Sequence, residues 1–276
     1  MIRKPITKKF EVFLVVASIL AIIGFYGYLS HRQHLINPKD TTIPSYKQIF
    51  QAFYNADSPK ASTLLKPDSS GKMWLVNDSY ATGSRLFVGL GTGILLSFLI
   101  GLGMGVYLPL EAIFKVPITF MSKIPPTAML AVYFVLFGTD FNMYVAMVAL
   151  GIFPSLAMAI YGAARSDVSD HEVFKAYTLG ASSFETVVEV VIRKILPRII
   201  ENIRLVIGPA MVFLIAAEWM MADVGFGYRL RIQSRLLNMN IVYVYLFLLA
   251  CFGFGMDWVL VSTRRWLCRW FDLARN

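Results

Sequence analysis

Apolar residues in this chain come in runs about as long as a bilayer is thick, divided by polar intervals. Six such runs fall at about 11–29, 80–107, 115–137, 141–164, 198–222 and 240–263. Roughly 20 apolar residues cross a hydrocarbon core as helix, and only helices or closed barrels satisfy their own backbone in lipid. The runs are long and do not alternate, so they predict six transmembrane helices in an all-α integral membrane protein. The first run follows Arg3, Lys4, Lys8 and Lys9 and is not closed by a small-x-small cleavage pattern. It is expected to be a retained span, not a signal peptide.

The polar intervals divide the chain into 1–29 (N-terminus and first span), 30–78 (an extracytoplasmic segment), 79–264 (the core) and a basic tail, 265–276. Within 30–78, Ser45 offers a cap, and Tyr46, Ile49, Phe50 and Phe53 share one helical face. Such a helix lies on the outer membrane surface or packs on the bundle. Residues 56–72 form a turn-rich linker. The most structured interval is 165–197. Asp170 is expected to cap a short helix that Gly180 stops, and Ser182 with Glu185 forms a capping box for a second helix. Helix, glycine hinge and helix make a protruding elbow that a cytosolic partner can grip.

Charge sets the orientation. The chain is 57% hydrophobic with a mean hydropathy of +0.61, and its 26 basic and 17 acidic residues give a net charge of +9. Much of the basic charge sits at span ends, which favours positive-inside anchoring over nucleic-acid binding. Basic residues at the start and Arg264, Arg265, Arg269 and Arg275 at the end place both termini, with the elbow, in the cytoplasm. Arg229, Arg231 and Arg235 then fall in an external loop, against the rule; two matched termini outweigh one loop. Those arginines either guide an anion or dock the acidic lobes of a partner.

Candidate chemistry is sparse. Gly89, Gly93, Ser97, Gly101 and Gly105 recur every four residues and predict close helix packing, within the chain in preference to between subunits. Pro125 and Pro126, with Thr127, break the third span, and Pro154 bends the fourth. A broken helix at membrane depth is tolerated where it is buried or lines a water-filled path, so these residues are candidates for the translocation pathway. Glu218, near the outer end of the fifth span, either faces a cavity as a gate or bonds a neighbouring loop. Asp257 is expected to pair with Arg264 or Arg265. Cys251 and Cys268 are poorly placed for a disulfide, and three histidines lack ligand spacing. Gly89-Leu-Gly-Thr-Gly lacks the lysine and the strand-to-helix setting of a nucleotide loop. The chain has no catalytic constellation and is not expected to be an enzyme.

The elbow carries a resemblance. Lys175-Ala-Tyr-Thr-Leu-Gly-Ala-Ser182, followed by Val190-Val-Ile-Arg-Lys-Ile-Leu-Pro197, resembles the cytoplasmic loop signature of binding-protein-dependent ABC importer permeases. Ala176, Gly180, Ala181, Leu196 and Pro197 match it; Phe174 and Lys175 stand where the family usually has Glu and Ala. Ile43-Pro-Ser-Tyr, Arg85, Ile124-Pro-Pro-Thr-Ala, Phe137-Gly, Phe153-Pro, Ala217-Glu218 and Gly225-Phe-Gly227 are similar to the nitrate, sulfonate and taurine branch.

The resemblance implies a type I importer permease in the bacterial inner membrane. It implies a homodimer, two cytoplasmic ATPase subunits and an extracytoplasmic solute-binding protein, surrounded by lipid and without nucleic acid. ATP and magnesium would be used by the partner ATPase, so this chain would hold no cofactor. Glu172, Phe174, Ala176, Tyr177, Leu179, Gly180, Ala181, Ser182 and Pro197 would form the coupling element. The solute would be small and anionic: nitrate, a sulfonate, taurine or bicarbonate-like. A gradient-driven secondary transporter would want more mid-membrane acids and two related halves, and a membrane scaffold would not need a proline-broken span.

Overall fold

The computed structural model describes residues 7–38, 40–54 and 73–270. The predicted linker, the side chain of Phe53, and Arg3, Lys4 and Arg275 lie outside them.

Helices account for nearly all of the described chain: α1 Lys8–Ile36, α2 Tyr46–Tyr54, α3 Trp74–Val106, α4 Leu108–Met121, α5 Leu130–Phe137, α6 Phe141–Asp167, α7 Asp170–Thr178, α8 Ser183–Glu185, α9 Arg193–Met221, α10 Phe226–Arg235 and α11 Met239–Leu267. Among the described residues, α1, α3, α6, the stretch Ser183–Met221 and α11 are each long and apolar enough to cross a membrane. The third predicted span is instead a helix pair, bent by 86° between Leu108–Met121 and Pro126–Phe137. Pro125 and Pro126 explain the break, because neither offers a backbone N–H to the preceding turn; a short 3-10 turn, Pro126–Met129, follows.

The chain folds as two compact units. One comprises the described parts of Met1–Leu75 with Leu230–Phe247. Here α2 docks on α1. Tyr46 donates from its hydroxyl to the Ile23 carbonyl and lies over Gly27, and its ring meets Tyr26 at 5.6 Å. Tyr26 in turn donates to the Pro44 carbonyl at 2.7 Å and meets Tyr243 edge-on at 5.8 Å.

The other unit comprises Val76–Arg229 with the described part of Leu248–Asn276, and α6 is its central helix. Met143, Tyr144, Met147, Val148 and Ile152 are buried between Leu86 and Leu90 of α3 and Ala210, Leu214 and Ala217 of α9. Each member of the small-residue ladder meets α6. A Cβ on Gly89 would stand 2.6 Å from that of Val148, and one on Gly105 2.5 Å from that of Ala164. At Gly101 it would stand 2.6 Å from the Ala157 carbonyl oxygen. Ser97 donates to the Gly93 carbonyl at 2.7 Å and the Phe153 carbonyl at 3.2 Å. Small residues permit this backbone approach, and van der Waals contact then holds the helices where lipid gives no hydrophobic drive.

Two sequence expectations need correction. Asp257 pairs with Arg204 (2.7 Å), while Arg264 turns to Glu201 (3.1 Å). A pairing across facing helices outcompetes one within α11 because Arg204 presents two nitrogens to the carboxylate. The basic segment at Arg229 is helical, not a loop, and Arg229 is withdrawn from the surface by Asp78.

Candidate functional site: the elbow, the clasp and the proline break

The elbow runs from the end of α6 into α9. Ser169, one residue earlier than expected, caps α7: its N–H donates to Glu172 at 3.0 Å in a capping box, and Asp170 is the first helical residue. Asp170 and Glu172 still complement the positive helix start. At the other end Gly180 takes φ +86, a conformation that costs glycine little. The Ala181 N–H reaches the Ala176 carbonyl at 3.1 Å and the Gly180 N–H the Tyr177 carbonyl at 3.0 Å, the bond pair of a Schellman motif. Ala176, Gly180 and Ala181 are therefore one local structure. Ser182 and Glu185 cap the next helix through the Ser182 N–H (2.8 Å) and the Glu185 N–H (3.3 Å).

That next helix is unbroken from Ser183 to Met221, so it is the first part of the fifth span and not a separate element. It begins with a π-helical stretch, Thr186–Ile192, in which six of seven residues are β-branched and crowd the preceding turn. Lys194 pairs with Glu172, bracing α7 to the root of α9, and Arg198 pairs with Asp167. The Lys194 ammonium, helped by the Ser169 N–H, holds the Glu172 carboxyl below its ordinary range. The outer face of the elbow is apolar and unprotected: Phe174 is 64% exposed, Leu179 79% and Phe184 75%, with Tyr177 beside them. Pro197 is buried within α9 and lies away from that face.

A second constellation joins α3, α9 and the start of α10. The Glu218 carboxylate is fully buried. It accepts from Arg85 at 2.8 Å, from the Thr82 hydroxyl at 3.0 Å and from the Gly227 N–H at 2.9 Å. Arg85 also donates to the Val224 carbonyl and lies 4.0 Å above the Tyr144 ring. Asp78, equally buried, accepts from Arg229 at 2.8 Å and from the Gly225 N–H at 3.1 Å, and Thr82 accepts from the Phe226 N–H at 2.8 Å. Gly225, at φ +127, lies so close that a Cβ would strike the Glu218 carboxylate. Of the two roles left open for Glu218, the geometry supplies the loop-bonding one. Asp78, Thr82 and Arg229 were not anticipated in this role. Asp78, Thr82 and Arg85 nevertheless recur at one helical face in the opening turns of a span, a polar stripe the sequence displays.

The third constellation is the proline break. Pro126 and Pro154 line one cavity of about 210 Å³ with Ser122, Tyr133, Gly151, Ser155 and Phe213. Pro125 and Thr127 are exposed and outside its lining.

Five helices long and apolar enough to cross a membrane, one helix pair bent at two prolines, and an elbow continuous with the helix that follows it stand together in this chain. Residues 93–266, well over half of the chain, match the family of binding-protein-dependent transport system inner membrane components. The chain belongs to that family. It is a multi-pass ABC transporter permease. Among its relatives, a probable ABC transporter permease protein of Brucella abortus is 28% identical over 200 residues, covering 72% of this chain and 80% of the relative. The taurine transport system permease protein TauC of Escherichia coli is 25% identical over 211 residues, 76% of each chain. The putative aliphatic sulfonates transport permease protein SsuC of the same organism is 27% identical over 161 residues, covering 58% and 60%. The matched region contains the ladder from Gly93 onward, the break, the elbow and Glu218.

Proposed function

We propose that this permease is the membrane-spanning subunit of an ATP-driven importer for a small anion, with a sulfonate or taurine as the leading class and nitrate or bicarbonate-like solutes beside it. An extracytoplasmic binding protein delivers the solute, and two cytoplasmic ATPase subunits, which use the ATP and magnesium, drive a permease pair. Both termini lie in the cytoplasm of the bacterial inner membrane. Family membership supports the transport role, and relatives named for taurine and aliphatic sulfonates support the solute class.

The observation that carries the coupling role is the elbow: an exposed apolar tip on a short capped helix, braced by Glu172–Lys194 to an unbroken span. Phe174, Tyr177 and Leu179 would seat in an ATPase groove, while Ala176, Gly180, Ala181 and Ser182 shape the turn that presents them. A rigid-body push on α7 would then reach α9 through a short path of covalent and ionic links. Pro126 and Pro154 would border the solute path, with Pro125 and Thr127 forming its break.

The test is Gly180→Pro, which forbids the positive φ and removes the N–H donated to Tyr177. In vesicles holding the assembled transporter, ATP-dependent uptake should fall to background while the protein still reaches the membrane. Normal uptake by this variant would refute the coupling role, and uptake driven by an ion gradient without ATP would favour a secondary transporter.

A further inference from the structure

Pro154 is the central residue of the 27-residue α6. At ~1.5 Å per residue, each half of that helix is about 20 Å long, so the cavity shared by Pro126, Pro154 and Ser155 lies near the middle of a ~30 Å hydrocarbon layer. Ser122 and Ile124 line the same cavity. Between them in the chain stands Lys123, outside that lining and inside the break where α4 ends and the path turns by 86°.

Lys123 is exposed, and its side chain makes no hydrogen bond or ion pair among the described residues. Four cations within the core spans are paired: Arg85 with Glu218, Lys115 with Glu111, Arg204 with Asp257 and Arg264 with Glu201. A lysine at mid-membrane is costly against lipid and persists where it faces water or a counter-charge. The adjoining cavity is far larger than the ~30 Å³ share of a water molecule. Ser122 and Ser155 donate to their own helices, to the Thr119 carbonyl at 2.8 Å and the Ile152 carbonyl at 3.0 Å, and a hydroxyl rotates readily to another acceptor.

We propose that Lys123 is a mid-membrane binding group for the anionic head of the transported solute, at the break next to the cavity that Ser122 and Ser155 line. A sulfonate or similar oxyanion leaving the binding protein meets one unpaired ammonium at the break. A single contact of this kind holds the anion at mid-crossing without trapping it. The inference rests on the import reading above and names the permease group that reads the charge of the solute.

The assembled wild-type transporter in proteoliposomes is offered labelled methanesulfonate, taurine and nitrate, and the best-transported anion is titrated. Lys123→Met should raise its KM at least about tenfold, as expected for losing one partner of a desolvated charge contact. Lys123→Arg, which keeps the charge, should stay within about threefold of wild type. An unchanged KM in the Met variant overturns the role of Lys123 and leaves the import reading standing. No ATP-dependent uptake of any of the three by the wild type overturns both. Should Lys123→Met fail to assemble, Lys123→Cys in a chain carrying Cys251→Ala and Cys268→Ala is treated with a membrane-impermeant thiol reagent. Labelling, slowed by the transported anion, is expected; a thiol that never reacts would place the side chain against lipid or protein and overturn the proposal.

Discussion

Withdrawing a carboxylate from water is unfavourable unless each of its oxygens finds a partner, and at Glu218 the three partners come from two distant parts of the chain, Thr82 and Arg85 of α3 and Gly227 of α10. Arg85 carries the compensating charge, so Arg85→Met strands a buried anion. The expected loss is about 3–5 kcal/mol, read as a lower melting temperature of the detergent-solubilised protein; an unaltered melting curve would remove the clasp from the account of stability. Glu172 is the opposite case, an exposed carboxylate whose pairing is screened by solvent. Its pKa in the folded chain is lowered, chiefly by Lys194. The contribution of the brace is therefore present above the ordinary glutamate range and is lost as the pH falls through the lowered value. Protease sensitivity of the elbow should stay flat from pH 8 down to about 5, near the reference value of ~4.3. Glu172→Gln should raise it across that whole window. Coincident profiles for the two proteins would count against the brace.

At the scale of elements, α3 and α6 are held by contact that depends on missing side-chain atoms. Gly101 faces a backbone carbonyl, which cannot rotate away, whereas Gly91 on the same helix has open space where its Cβ would be. Gly101→Ala should therefore destabilise by about 1–3 kcal/mol through overpacking. Gly91→Ala should be neutral or stabilising by up to ~1 kcal/mol through helix propensity. Thermal unfolding of the two variants side by side checks this, and equal melting temperatures would mean that the ladder does not set the packing. The same elements explain how the elbow is joined to the membrane. Because Ser183–Met221 is continuous, a displacement of α7 has no flexible linker in which to dissipate, save the π-helical turn at its root.

For the whole molecule, five helices are long and apolar enough to cross a membrane, and the bent pair, counted as one span, makes the even number on which the proposed topology, with both ends on one side, depends. The elbow shares that side in the proposed topology. Single cysteines at position 5, in the elbow and at position 274, in a chain lacking Cys251 and Cys268, should all react with an impermeant reagent only from the cytoplasmic face. One cysteine between 226 and 238 should react only from outside. Labelling of a terminus from outside would break the even count and reassign the bent pair as a re-entrant loop.

What the sequence by itself determined was set by neighbours in the chain. Span lengths, the capping box at Ser182, the stop at Gly180, the four-residue ladder and the two-proline break all depend on residues within a few positions of each other, where helix geometry converts spacing directly into place. Cap position slipped by one residue, from Asp170 to Ser169, because serine and aspartate compete for the same role. Tertiary structure alone decided which charges meet. Asp78 and Arg229 are 151 residues apart in sequence, and Arg85 and Glu218 are 133 apart. Asp257 reached across to Arg204 instead of along its own helix. Folding selects such pairs by the packing of α3, α6 and α9, and no local pattern specifies which of several available arginines a buried carboxylate will face. The same packing sets Pro154 opposite the proline break and leaves Lys123 there without a partner among the described residues.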